Sequence, residues 1–224
     1  MNGHKLIATA RVPDGVELRL MQRGHEFTIF LNSNELMSTR VSASEEALAT
    51  MSCERLAGRP APHLLIGGYG MGFTLRAALA ALGDDASVTV AELVPEIIDW
   101  AQGPMEALTG DCLQDPRVIV VKDDVAMLID AARKGYDAIL LDVDNGPDGL
   151  TRRANDRLYS PRGLAAAMSA LKRNGILAVW SAEPDKAFTK RLESAGFAVD
   201  EVRVRERHGG KGARHTLWFA RKPH

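Results

Sequence analysis

The chain has 224 residues, 46% hydrophobic and 25% charged, a length and composition that support one full core. Its 28 Lys and Arg against 29 Asp and Glu leave a net charge of −1, which argues against nucleic-acid binding through bulk positive charge, and two cysteines, Cys53 and Cys112, supply no disulfide framework. No apolar run approaches the ~20 residues of a membrane span, and the polar start MNGHK is no signal peptide, so the expectation is a cytoplasmic protein with neither membrane nor nucleic-acid partner.

From Lys5 to Leu31 the sequence alternates in short runs, KLIATARV, VELRLMQR and HEFTIFL, broken by Pro13-Asp14-Gly15 and by Gly24. That pattern predicts a meander of three strands. Ser42-Ala43-Ser44-Glu45 has the Ser-x-x-Glu spacing of a capping box, and the helix it opens stops at Gly58-Arg59-Pro60. Residues 1–41 are therefore expected as an N-terminal β annex to one domain over 42–224. From His63 the texture becomes strand–helix alternation: HLLIGG, MGFTLRAALAALG, SVTVAEL, PEIIDWAQGPMEAL, RVIVV, DVAMLIDAARKG, YDAILLDVD, SPRGLAAAMSALKRNG, GILAVWSA, DKAFTKRLESAG and FAVDEVRVR, with RHTLWFARKP as a closing strand. Near-continuous apolar strands alternating with helices predict an α/β fold, a doubly wound Rossmann-like sheet covered on both faces. The stretch from Asp144 to Tyr159 is long for a loop in such a domain and has the length of a functional lid.

Candidate chemistry clusters at strand ends. Gly67, Gly68, Gly70 and Gly72, with Tyr69 among them, occupy the first strand–helix turn of the α/β region, where glycine lets a ligand approach the backbone and helix N–H groups face it. Glu92, followed by Leu93, ends the next strand, where an acid can accept hydrogen bonds from both hydroxyls of a ribose; the bland reading is a solvated strand end. Asp123 and Asp124 precede the next helix, where one can cap it while the other, with Asp124 favoured, faces an adenine amino group. Asp142, with Asp144 close behind, ends YDAILLD and points into the crevice, where a carboxylate can orient or deprotonate an attacking amine or hydroxyl. His208, His215 and His224 lack metal-ligand spacing, so no metal is expected. Arg205, Arg207, Lys211 and Arg214 around Gly209-Gly210 read as a solvated loop, with an acidic partner as the sharper alternative.

Taken in order, IGGYGMGFTLRAAL, VTVAELVPEIIDWA, DPRVIVVKDDVAMLI, YDAILLDVDNGP and LYSPRGL resemble the spermidine synthase superfamily of class I S-adenosylmethionine-dependent transferases, over about residues 16–221. The resemblance implies a seven-stranded sheet with an antiparallel final hairpin and a sulfonium nucleoside in the crevice. It would place Glu92 on the ribose, Asp124 on the adenine amino group and the glycine loop under the methionine-derived part. Asp142 would match the first acid of the catalytic loop, and Tyr69, Asn145 and Tyr159 would contact the acceptor. The first loop departs from the aminopropyltransferase pattern Gly-Gly-Gly-Asp-Gly-Gly: it reads Gly-Gly-Tyr-Gly-Met-Gly, and the missing Asp is the one that in the family faces the aminopropyl amine. Such an acid would also repel the carboxylate of intact S-adenosylmethionine. With Gly70 there, the leading expectation is an S-adenosylmethionine-dependent methyltransferase acting on a small molecule. The alternatives are an aminopropyltransferase of polyamine biosynthesis using decarboxylated S-adenosylmethionine, and a non-catalytic nucleoside-binding relative. The β annex could pair with a second copy, so a homodimer is expected.

Overall fold

Strands β1 (Lys5–Arg11), β2 (Glu17–Arg23), β3 (Glu26–Leu31) and β4 (Asn34–Ser38) form an antiparallel sheet in that order in the computed structural model, which describes residues 3–12, 15–143 and 156–223. Alternation sets the register: Leu18 and Leu20 of β2 lie opposite Leu31 and Ile29 of β3, all four buried on one face. The sequence pattern predicts three strands here, and the structure has four. The fourth, NELMS, carries an adjacent apolar pair, Leu36 and Met37, in place of alternation, so periodicity does not reveal it. Leu18, Leu20 and Ile29 share one buried cluster with Leu48, Ile66 and Val90, so the small sheet packs onto the large one instead of closing a core of its own.

Helix α1 (Ala43–Arg55) connects the two sheets and buries Leu48, Ala49, Ser52 and Cys53. Its N-cap is Ser42, as the Ser-x-x-Glu spacing predicts, but the Ser42 side chain makes no capping hydrogen bond. The expected capping box does not form, because the Glu45 side chain is turned into the interior (below).

The large domain then runs β5 (His63–Gly67), α2 (Phe73–Ala81), β6 (Ser87–Ala91), α3 (Pro95–Gln102), α4 (Glu106–Thr109), β7 (Val118–Val121), α5 (Val125–Ala131), β8 (Tyr136–Leu141), α6 (Asp156–Tyr159), α7 (Pro161–Ala170), β9 (Leu171–Ser181), α8 (Lys186–Ser194), β10 (Ala198–Arg207) and β11 (Lys211–Arg221). Its seven strands order as β10-β11-β9-β8-β5-β6-β7, parallel from β9 to β7, with β11 antiparallel to both neighbours. Every residue of β8 is buried, Ala138 and Leu140 on one face and Ile139 and Leu141 on the other, which explains the apolar run Ala138–Leu141. Strand β5 pairs in parallel with both β6 and β8, so the order reverses at β5 and a crevice opens beyond its carboxyl end. Among the described residues no helix is long and apolar enough to cross a membrane.

The opposite, amino-terminal edge of the sheet is pinned by Asp137, which is 3% exposed. Its Oδ1 accepts from Arg59 Nη1 (2.7 Å), and its Oδ2 accepts from Lys172 Nζ (2.6 Å) and the His63 amide (2.8 Å), joining β5, β8 and β9. Burial raises the carboxyl pKa, but the hydrogen bonds from His63, Lys172 and Arg59 outweigh it and hold Asp137 below the usual carboxylate range. Asp137→Ala therefore lowers stability by about 2–4 kcal/mol, since it strands two half-exposed cations and a backbone N–H. A pKa lowered by folding contributes stability above the unfolded carboxylate pKa and loses it as pH falls through the folded one. Thermal unfolding of parent and variant at pH 7 and below about pH 4 checks both statements: the gap between them narrows at the low pH, and equal melting at pH 7 refutes the pin.

Candidate active site

The crevice lies between the carboxyl ends of β5, β6, β7 and β8 and the apolar face of the small sheet, whose Val12, Leu18, Leu31, Leu36 and Met37 form one wall. Its floor is the turn between β5 and α2. Gly68 has φ 86°, and a Cβ there would sit 2.3 Å from the Asp142 carbonyl oxygen, so only glycine lets this turn pass the end of β8. Gly68 and Gly70 line the crevice. Gly67 and Gly72 stand behind it, the first against Val125 and the second against the Tyr69 ring. Tyr69 lines the crevice, but its hydroxyl lies 3.5 Å from Cys112 Sγ in the interior, where burial and the Cys112 contact push its pKa up. The ring expected to touch substrate thus supports the loop from beneath.

Glu92, directly after β6, is 5% exposed. Its Oε2 accepts from the Tyr69 amide and its Oε1 from the Val94 amide, each at 2.9 Å, which ties the glycine loop to the turn before α3. Burial raises its pKa, opposed by backbone hydrogen bonds from Val94, Tyr69, Gly70 and Leu93. Each carboxylate oxygen retains acceptor capacity, and both Glu92 and Leu93 line the crevice. Asp123 and Asp124 line it too, after β7. The expected division between them is corrected: Asp124 makes the cap, its Oδ1 accepting from the Ala126 amide at 2.8 Å, and its Oδ2 pairs with Arg157 of α6. Asp123 Oδ1 accepts from the Asp124 amide at 2.7 Å.

At the end of β8, Asp142 lines the crevice and its Oδ2 accepts from Thr74 Oγ1 of α2 at 2.7 Å. Burial pushes its carboxyl up to about 6, with the Thr74 hydrogen bond pulling the other way. Beside it stands an acid that pattern reading assigns elsewhere. Glu45 of α1 lines the same crevice, and burial followed by the Asp142 charge pushes it up to about 7, against a hydrogen bond from Ser44. Its spacing from Ser42 was its only visible signal, and that signal points to a cap. Trp180, at the end of β9, closes this side; its Nε1–H is buried without an acceptor among the described residues.

Tyr159 is not in the crevice wall. Its ring packs edge-on against Phe188 (centroids 5.6 Å apart) in the core on the other face of the sheet, which corrects its expected substrate contact. Asp144 and Asn145, and the stretch expected as a lid as far as residue 155, lie outside the described residues. Among the described residues no cluster of three His, Cys, Asp or Glu side chains could hold a metal.

The spermine/spermidine synthase domain model matches residues 43–191, which hold all of these acids. The chain belongs to the spermine/spermidine synthase family. Among its relatives, it is 31% identical over 175 residues to a polyamine aminopropyltransferase of Corynebacterium efficiens, covering 77% of this chain and 32% of that protein. It is 29% identical over 198 residues to a polyamine aminopropyltransferase of Mycobacterium tuberculosis, covering 84% and 36%. The chain therefore spans about a third of the length of these relatives. Among solved structures, spermidine synthase from Thermotoga maritima superposes with a TM-score of 0.75 at 18% identity, over 97% of this chain and 73% of that one, a likeness of fold.

These findings correct the expectation of methyl transfer: the matching domain is that of spermine/spermidine synthases, and both relatives are named aminopropyltransferases. The structure gives the physical reason. The inference from Gly70 counted only the acid missing from the loop, whereas Glu45 brings a further carboxyl into the same crevice from α1, next to Asp142.

Proposed function

We propose that this chain transfers the aminopropyl group of decarboxylated S-adenosylmethionine to an amine. The observation that carries the reading is the carboxylate pair Glu45 and Asp142 beside the glycine loop. Two acids in a desolvated cleft favour ammonium groups and disfavour the carboxylate of intact S-adenosylmethionine. In this reading Glu92 accepts from the ribose hydroxyls, and Asp123 and Asp124 serve the adenine end, with Leu93 and the backbone of Gly68 and Gly70 along the donor. The Trp180 N–H, buried without an acceptor among the described residues, is a further donor to whatever fills the cleft. The apolar wall of Val12, Leu18, Leu31, Leu36 and Met37 suits the methylene chain of an aliphatic amine.

Chemically the cleft has little covalent work to do. Asp142 takes a proton from the acceptor ammonium; the freed nitrogen lone pair forms a bond to the propyl carbon next to sulfur. The carbon–sulfur bond breaks, its electron pair stays on sulfur, and methylthioadenosine leaves as a neutral thioether. Alignment and exclusion of water supply the rate. Asp144 and Asn145, expected from sequence to serve the acceptor, lie outside the described residues.

Calorimetric titration with both nucleosides, alongside an assay for methylthioadenosine release with aliphatic diamines, tests this. Decarboxylated S-adenosylmethionine binds at least about tenfold more tightly than the intact compound, a modest share of the several kcal/mol that a like-charge contact costs. Equal or tighter binding of the intact form, or no release with any amine, overturns the reading.

A further inference from the structure

A buried line of polar side chains leads out of the cleft behind Glu45. Ser44, with no exposed surface, donates from Oγ to Glu45 Oε2 at 2.6 Å, and the same Oγ lies 2.9 Å from Nδ1 of His215 on β11. His215 is 9% exposed and packs its ring edge-on to Trp180 of the cleft wall, centroids 4.7 Å apart. On the far side its Nε2 is 3.8 Å from Oε2 of Glu206 on β10, whose Oε1 meets Arg207 Nε at 3.4 Å. Glu206 is partly exposed, so the line ends in water.

One hydroxyl proton shared among three groups permits two arrangements. With Glu45 ionised, Ser44 donates to it, and Ser44 Oγ accepts from a proton on His215 Nδ1. With Glu45 protonated, its carboxyl donates to Ser44, the Ser44 proton turns to Nδ1, and the ring proton sits on Nε2 toward Glu206. The protonation of Glu45 and the tautomer of His215 are locked together by Ser44.

We propose that Ser44 and His215 are positioning residues that link the protonation of Glu45 in the cleft to Glu206 at the outer edge of the sheet, giving protons an exit that bound substrate does not block. The aminopropyl-transfer reading supplies only the source of the proton. Transfer balances without a further reactant: the Glu45 proton passes to Ser44 Oγ as the Ser44 proton moves to Nδ1, and the Nε2 proton leaves to solvent water at the sheet edge beside Glu206, since 3.8 Å is too long for a direct hydrogen bond. Facing Glu45 are Asp142 at the end of β8 and Glu46 on its own helix, both raising its pKa, and Ser44, lowering it. Glu46 in turn meets His208 Nε2 at 3.1 Å. Burial lowers the pKa of His215, and outweighs Glu206 and Glu183, which face the ring and raise it. Glu45 therefore changes state at about 7, above the ordinary imidazole range that burial lowers for His215, so the ring answers that change by switching tautomer.

Nitrogen-15 NMR of the imidazoles in the full chain reads the tautomer directly. His215 passes from mainly Nδ1–H to mainly Nε2–H as pH falls through about 7, and the passage disappears in Glu45→Gln. A tautomer constant from pH 5.5 to 8.5, or a switch that survives Glu45→Gln, overturns the proposal. In turnover, Ser44→Ala and His215→Phe lower kcat by about 10- to 100-fold, as loss of an orienting partner does elsewhere. They leave KM for the donor unchanged and move the acid limb of the pH profile, and Ser44→Thr restores both. Unchanged kcat and acid limb in folded variants overturn it equally. The NMR reading needs no turnover, so a tautomer switch in a protein that transfers nothing upholds the linkage and refutes the functional reading alone.

Discussion

Asp142→Asn lowers kcat for aminopropyl transfer by about 10²–10⁴-fold, the usual contribution of a positioned base, with donor affinity changed only a few-fold. The expectation follows from where Asp142 sits. It ends the fully buried strand β8, faces the crevice and is held by Thr74 Oγ1, so its rotamer is set before any substrate arrives. A carboxyl pushed up to about 6 by burial is a stronger base than a solvated one and is still ionised at neutral pH. Activity accordingly falls as pH drops from 7 toward 5, through the range where Glu45 and Asp142 take up protons. The same burial makes a stability prediction of opposite sign to the activity loss. A carboxyl whose pKa rises on folding is favoured in its protonated form. Its ionisation costs stability, beginning as pH rises past the unfolded value of ~4 and complete above the folded one. Asp142→Asn therefore raises stability at pH 7.5 by about 1–3 kcal/mol. A variant that is inactive and also melts lower would indicate misfolding and contradict this assignment; parent-like activity would remove Asp142 from the chemistry.

The parts of this site that pattern reading finds are those whose position follows from strand order alone. Glu92 and Asp142 each follow a parallel strand directly, and the reversal at β5 delivers such residues to one crevice whatever their side chains do. Glu45 fails that rule because it sits on α1, before the first parallel strand. A local rule, the capping box, also competes for the same residue. Only the packing of α1 across the large sheet decides between cap and cleft, and it decides for the cleft, with the Ser42 side chain making no capping hydrogen bond. Asp123 and Asp124 are adjacent acids before one helix, so sequence locates the pair but not which carboxylate turns back to the Ala126 amide. Tyr159 shows the reverse limit. It closes the stretch expected as a lid, yet its ring packs against Phe188, because an aromatic side chain gains most where it is fully buried.

Glu92→Ala is expected to fail twice, in binding and in folding, and the two failures can be separated. In the parent the carboxylate oxygens accept the Tyr69 and Val94 amides, each at 2.9 Å, in a place almost closed to water. Alanine leaves both amides without an acceptor, about 1–3 kcal/mol each, offset in part by relief of the buried charge. The net loss of about 2–4 kcal/mol lowers Tm by roughly 5–15 °C. Under the proposed function the same carboxylate accepts from two ribose hydroxyls, and losing two charge-assisted bonds of ~1.5–3 kcal/mol weakens methylthioadenosine binding by at least about 100-fold. Glu92→Gln divides these effects. Its amide oxygen still serves one of the two N–H groups, so it recovers part of the Tm, but its NH2 cannot accept from a ribose hydroxyl and binding stays weak. If calorimetry finds Glu92→Gln binding methylthioadenosine as tightly as the parent, Glu92 is a strut between the glycine loop and the β6–α3 turn and no more. A Glu92→Gln protein that folds well and still binds poorly places the sugar at this carboxylate, and with it the direction in which the donor lies across the crevice toward Asp142.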